Sequence, residues 1–197
     1  LSAVHAAELV STRRRRVLER HVTTFVAPSR FVADRFLDLG IPTTRLVVKP
    51  HFLGDTGPRP APPSSSNEVV VVGRIAPGKG VDTLLSAWSA GPGDGDLRLT
   101  VIGDGPLEPE LRPAAPPNVA WTGWLDRSEI QQRLARARAL VMPSELYETF
   151  GMVLVEAMCA GLPVIVTSAA GAAEIVEPPT PLLVPPHDPR RLARAIE

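Results

Sequence analysis

The chain of 197 residues holds one cysteine, Cys159, so no disulfide can form within it and a reducing compartment is allowed. It has no excess charge of either sign: 21 Lys and Arg stand against 21 Asp and Glu. That balance excludes the basic surface by which general nucleic-acid binders neutralise phosphate. Lysine is scarce, present only as Lys49 and Lys79, so Arg is the default cation and each Lys suggests some other pressure. Histidines His5, His21, His51 and His187 are scattered rather than set at metal-ligand spacing. There is no initiating Met and no basic start followed by an apolar run, so no secretory leader is visible. The simplest reading of a start at Leu1 is a piece of a longer protein. An unbroken membrane-length apolar run is absent too. The nearest, Met152 to Ala173, contains Glu156 and is interrupted by Gly161-Leu162-Pro163. A buried helix, a turn and a buried strand explain it better than a membrane span.

What is present is a set of short runs apolar on both sides: Val69–Val72, Leu99–Ile102, Leu140–Met142 and Val164–Val166. Such strands belong to parallel sheets covered by helices. Helical periods lie between them. Val81, Leu84, Leu85 and Trp88 repeat at i, i+3, i+4, i+7, and Ile130, Leu134 and Ala137 follow an Asp126/Glu129 capping pair. The alternation predicts an α/β fold with a doubly wound, Rossmann-like parallel sheet over residues 68–197. Residues 1–54 are organised differently. A basic helix over about 6–21 precedes a strand over 23–27, a helix capped by Ser29 and ending near Gly40, and a strand over 45–49. That block reads as the tail of a preceding domain. The proline- and serine-rich stretch 55–67 has linker composition.

Ligands of open parallel sheets sit beyond the carboxyl ends of the strands. Gly73, Gly103 and Gly123 each follow an apolar run there, and glycine lets a ligand approach the backbone. The loop Gly73-Arg74-Ile75-Ala76-Pro77-Gly78-Lys79-Gly80 sets two cations at a strand end and a helix start, the makings of an anion site. The order of a Walker loop is not met, and Gly103-Asp104-Gly105 lacks the third glycine of a dinucleotide fingerprint and reads as a turn. The strongest signal is Pro143-Ser144-Glu145-Leu146-Tyr147-Glu148-Thr149-Phe150-Gly151 and the apolar helix after it. Glu156 is that helix's only charge. A buried carboxylate needs a partner, either a buried Arg or the hydroxyls of a ligand. Glu148, just before the helix, could reach the same ligand, and Gly151 lets the first helical amides face an anion.

Glu148-x7-Glu156 with Phe150-Gly151, and the run Glu156-Ala157-Met158-Cys159-Ala160-Gly161-Leu162-Pro163-Val164-Ile165, resemble the signature of retaining glycosyltransferases of family four. Gly73-Arg74 with Lys79-Gly80, Gly103-Asp104-Gly105-Pro106 and Pro185-Pro186-His187-Asp188-Pro189 resemble that family's other motifs in the same order. Val26 to Val32 resembles the last βα unit of its N-terminal domain. The resemblance implies a GT-B architecture, with residues 1–54 the tail of an acceptor-side Rossmann-like domain and 68–197 the nucleotide-sugar domain. It implies that Arg74 and Lys79 hold the donor diphosphate, that Glu148 contacts the donor sugar and acts with them in catalysis, and that Glu156 contacts the ribose. Gly73, Gly103, Gly123, Phe150 and Gly151 complete the donor site. No metal and no cofactor is implied, the nucleotide-sugar being the substrate.

The activity so implied is transfer of a hexose from a UDP- or GDP-sugar to a sugar, lipid or small-molecule acceptor with retention of configuration. A cytoplasmic place follows, with peripheral contact at the inner face of the membrane open to Arg13, Arg14, Arg15 and Arg16. The sequence departs from the family's pattern at Gly78, where an acidic residue is usual, at Ala170-Gly171, where a Gly-Gly pair is usual, and at Glu177–Pro181. Two other readings stay open: a nucleotide-binding module without catalysis, and a glycoside hydrolase using Glu148 and Glu156 as its carboxylate pair. The cationic loop speaks against the hydrolase.

Overall fold

The computed structural model describes residues 20–54, 57–91, 95–146, 148–169, 171–176 and 182–197. Arg13–Arg16, most of the basic helix expected over 6–21, Ala170 and Glu177–Pro181 lie outside the described residues. The chain divides into two compact units, Leu1–Pro50 and His51–Glu197.

In the first unit β1 (Phe25–Ala27) pairs in parallel with β2 (Leu46–Val48), and α1 (Arg30–Asp38) makes the crossover. Ser29 caps α1, its hydroxyl accepting from the Val32 amide, as the sequence predicts. Ala27, Ala33 and Ile41 are buried, and the rings of Phe25 and Phe36 stand 5.8 Å apart.

The second unit is a six-stranded parallel sheet in the order β5-β4-β3-β6-β7-β8. Its strands are β3 (Glu68–Val72), β4 (Arg98–Ile102), β5 (Val119–Gly123), β6 (Ala139–Met142), β7 (Val164–Thr167) and β8 (Leu183–Val184). Helices α2 (Val81–Ala90), α3 (Glu108–Ala114), α4 (Arg127–Leu134), α5 (Met152–Cys159) and α6 (Pro189–Ile196) are interspersed with them. Counted within the unit, this is the 3-2-1-4-5-6 order of a doubly wound sheet, with the switch point between β3 and β6. The alternation read from the sequence is therefore present.

Two cores form, one on each side of the sheet. Val69, Val71, Leu84, Leu85, Trp88 and Leu192 belong to one; Val70, Leu134, Leu140, Leu154, Ala157 and Val164 to the other. Neighbouring residues of β3 thus point to opposite cores, which is why its run is apolar throughout. Asp126 and Glu129 form both halves of a capping box on α4.

One expectation needs correction. The all-round apolar composition of α5 predicts full burial, yet Met158 and Cys159 are exposed and only Leu154 and Ala157 are buried. The helix covers the sheet with one stripe, and Met152, Met158 and Cys159 lie off it. The stretch of linker composition carries one anchored side chain. Arg59 donates to the carbonyl oxygens of Leu134, Ala137 and Ala160 at 3.1, 2.7 and 3.3 Å. Those carbonyls lie at the carboxyl ends of α4 and α5, where helices leave acceptors unsatisfied. Burial of its guanidinium pushes the Arg59 pKa below arginine's ordinary value.

Candidate functional site

A cavity of about 240 Å³ opens at the switch point, lined by the ends of β3, β4 and β6 and the start of α5. Gly73, Arg74, Lys79, Ser144, Glu148 and Gly151 line it together, so the two loops singled out in the sequence meet in space. Both helices that begin here start after a glycine in the left-handed region, Gly80 (φ 70) before α2 and Gly151 (φ 82) before α5, and neither has a side-chain cap. By contrast Ser29, Asp126 and Asp188 cap α1, α4 and α6 with their side chains. The free amides at the starts of α2 and α5 are thus left for a ligand, and the helix dipoles favour an anion.

The electrostatics match. Arg74 is exposed at the cavity mouth, with no partner for its guanidinium among the described residues. Lys79 donates to Glu148 Oε1, and the Ser144 hydroxyl donates to the same oxygen at 3.0 Å. Glu148 is 18% exposed and Lys79 39%, so the pair is half sheltered. The cation and the carboxylate neutralise each other.

The loop that presents Glu148 is fixed by its backbone. The amides of Glu145 and Leu146 both donate to the Gly78 carbonyl, at 2.9 and 3.1 Å. The buried Thr167 hydroxyl donates to the Ser144 carbonyl. A Cβ on Gly80 would overlap the Pro143 carbonyl oxygen, so only glycine allows the two loops to lie this close.

The remaining candidates are placed elsewhere. Gly103 and Gly123 face each other in a backbone bridge beside the cavity without lining it. A Cβ on Gly103 would overlap the Gly73 carbonyl, so chain packing accounts for that glycine. Gly105 likewise lies against the Ile75 backbone, which fits the reading of a turn. Phe150 is buried against the edge of the His51 ring, centroids 4.9 Å apart.

Glu156 opens on a second cavity of about 380 Å³, shared with Arg59, Arg127 and Gln131. Its Oε1 lies 3.5 Å from Nε of Arg127, and the carboxylate is 14% exposed. Its partner is therefore an exposed Arg at the start of α4, neither a buried one nor a bare apolar surround. The two glutamates do not line one cavity, unlike the facing pair of a glycosidase. Ser144, Thr167 and Arg127 carry no pattern of their own in the sequence. Only their places, after β6, at the end of β7 and at the start of α4, mark them.

Comparison with known proteins bears on this geometry. Residues 66–197 match the family model described as Glycosyl transferases group 1. The GDP-mannose-dependent alpha-mannosyltransferase of Mycobacterium tuberculosis is 31% identical over 86% of this chain and 46% of its own length. The 2-deoxystreptamine N-acetyl-D-glucosaminyltransferase of Streptomyces fradiae is 31% identical over 98% of this chain and 49% of its own. The structure of Anabaena Alr3699/HepE in complex with UDP-glucose superposes with a TM-score of 0.81 at 23% identity, covering 94% of this chain and 57% of that one. The chain spans about half the length of these relatives.

Proposed function

The chain belongs to the group 1 glycosyltransferases, and we propose that its second unit holds the donor of a retaining hexosyltransferase, a UDP- or GDP-sugar. The observation that carries this reading is the convergence of Arg74, Lys79 and two uncapped helix starts on one cavity at the switch point. Arg74 and Lys79 grip the diphosphate, and the first amides of α5 face it. Binding the diphosphate draws Lys79 from Glu148 and frees that carboxylate for the hydroxyls of the sugar. Glu156, held by Arg127 in the neighbouring cavity, takes the ribose hydroxyls. Gly73 and Gly151 line the donor cavity around these groups, and Gly103, Gly123 and Phe150 stand behind that lining.

In the transfer, the bond from the anomeric carbon to the diphosphate oxygen breaks and its electrons leave with the diphosphate. The acceptor hydroxyl oxygen bonds to the same carbon, and its proton ends on the released diphosphate or in water. The cations and helix amides hold the charge that builds on the leaving group. They supply the opposing positive charge without a metal ion. Relatives named for GDP-mannose and a fold neighbour bound to UDP-glucose support both nucleotides as donors. The acceptor is a sugar, a lipid or a small molecule. Among the described residues no helix is long and apolar enough to cross a membrane. We place the protein in the cytoplasm, with Arg13–Arg16 available to touch the inner membrane face.

Calorimetric titration of the chain with UDP, GDP, UDP-glucose and GDP-mannose in EDTA tests this. At least one nucleoside diphosphate and its sugar nucleotide should bind without added metal. Binding seen only after magnesium or manganese is restored refutes the metal-free reading, and binding of none of the four refutes the donor site.

A further inference from the structure

Outside the donor cavity, one carboxylate joins four segments of the second unit. The Glu145 side chain is only 8% exposed, yet it does not line the cavity. Its Oε1 accepts from the Thr83 hydroxyl on the first turn of α2 and lies 3.1 Å from His187 Nδ1 in the turn before α6. Its own amide holds the Gly78 carbonyl at 2.9 Å. So the loop after β3, the start of α2, the loop after β6 and the turn 185–188 converge on Glu145.

The turn shows strain. His187 is the non-glycine residue with positive φ among those described, at 58°. A non-glycine residue in the left-handed region costs free energy that glycine would not. Such strain persists where its surroundings hold it. Here the imidazole it delivers to Glu145 is the visible compensation. A buried carboxylate whose Oε1 meets both a hydroxyl and an imidazole ties their two segments together, and it stands three residues before Glu148.

We propose that Glu145 is a positioning residue: tied to Thr83 and His187, it fixes the loop that presents Glu148 to Lys79, and so sets the width of the donor cavity. The claim rests on the donor-site reading for its effect on binding, though not for its effect on the loop. Looseness in the residues that support a site is felt at the site, because a misplacement near 1 Å costs about a hundred-fold in a reacting geometry.

Two readouts keep the claims apart. In Glu145→Ala, hydrogen exchange at the amides of Glu145's position and Leu146 should quicken while the β3 and β4 amides keep wild-type protection. Affinity for the sugar nucleotide that the wild type binds should fall about ten-fold or more, while the bare diphosphate, which Glu148 does not hold, should bind much as before. Glu145→Gln keeps an oxygen that accepts from both Thr83 and His187, and should restore slow exchange and most of the affinity. His187→Gly separates positioning from stability. It relieves the left-handed backbone, so Tm should hold or rise, while affinity for the sugar nucleotide falls about two- to five-fold with the imidazole's contact to Glu145 lost.

Unchanged loop exchange in Glu145→Ala overturns the proposal whatever the ligand data show. So does a Tm loss with unchanged affinity in a chain that binds nucleotide. If the wild type binds no nucleotide, the donor-site reading fails, and the exchange data still decide whether Glu145 holds the loop. If Glu145→Ala does not fold, Thr83→Ala and His187→Gly carry the same exchange and affinity tests. Wild-type values in both then overturn it.

Discussion

Glu148 and Glu68 have nearly the same surroundings at opposite ends of the sheet. Glu148 accepts from Lys79 and from the Ser144 hydroxyl. Glu68, first residue of β3, accepts from Arg133 at 2.6 Å and from the Thr100 hydroxyl at 2.6 Å. The two carboxylates are 18% and 24% exposed, and their cations 39% and 37%. Even cavity size misleads, since the groove beside Glu68, about 830 Å³, is larger than the 240 Å³ cleft at Glu148. The difference lies in the backbone. At the carboxyl ends, two helices start uncapped behind left-handed glycines, and Arg74 is exposed with no partner among the described residues. At the amino end, Arg133 and the Thr100 hydroxyl both donate to Glu68, exposed Arg98 and Arg136 line the groove as well, and among the described residues no α-helix starts there behind a glycine. Neither an ion pair nor a free cation alone therefore marks a ligand site; free helix amides beside them do.

The comparison breaks most visibly at the cations. The double variant Arg74→Ala/Lys79→Ala removes both charged donors from the cleft. Each contact to a charged group is worth roughly 1.5–3 kcal/mol, so nucleoside diphosphate affinity should fall by about a hundred-fold or more. Tm should change little, since Arg74 is exposed and Lys79 half exposed. The pair Arg133→Ala/Arg136→Ala at the amino end should leave affinity at the wild-type value. Equal losses in both double variants would show that net charge, not geometry, attracts the ligand.

A finer cut separates the two glutamates near the site. Glu156→Gln should weaken free diphosphate and sugar nucleotide alike, by about ten- to a hundred-fold. Glu148→Gln should weaken only the sugar-bearing ligand. Because Glu148 holds Lys79, its replacement frees that cation, and bare diphosphate should bind as before or slightly tighter. Four dissociation constants decide it. If Glu148→Gln weakens the bare diphosphate as much as Glu156→Gln does, the assigned roles are wrong.

The sequence carries much of this, and the reason differs by residue. Runs apolar on both faces disclose a parallel sheet because each strand of a doubly wound fold feeds two cores, as Val69 and Val70 do. The Asp126 capping box is legible because it is local, three residues from acceptor to donor. Arg74, Lys79 and Glu148 were legible as candidates because they sit at strand ends. The pairing of Lys79 with Glu148 spans 69 residues and has no local signal. The same holds for Thr83 with Glu145, 62 residues apart, and for Arg59 on the ends of α4 and α5. The composition of 55–67 pointed to a linker because proline and serine report backbone preference, and one Arg among them can still anchor the segment. Apolar composition overstated the burial of α5, because it reports what a helix tolerates rather than what covers it.

The smallest effect on binding should come from Glu68, and it is the strictest control. Glu68→Ala leaves two former partners. Arg133, 37% exposed, turns to water at little cost. Thr100 cannot, being 3% exposed, and its hydroxyl loses its acceptor inside the sheet. An unsatisfied buried polar group costs about 1–3 kcal/mol, which lowers the Tm of a domain this size by roughly 3–10 °C. Diphosphate and sugar-nucleotide affinities should stay within about two-fold of wild type, a change below about 0.5 kcal/mol. The cause is checked in a second background. Thr100→Val removes the hydroxyl itself, and with no donor left to strand, Glu68→Ala should then cost distinctly less than it does alone. The two substitutions should therefore be non-additive, as for groups in direct contact. Additive losses would mean that Thr100 and Glu68 act separately. A loss of affinity in Glu68→Ala matching that of the cation variants, with Tm unmoved, would mean that the amino end of the sheet takes the anion and the carboxyl end does not.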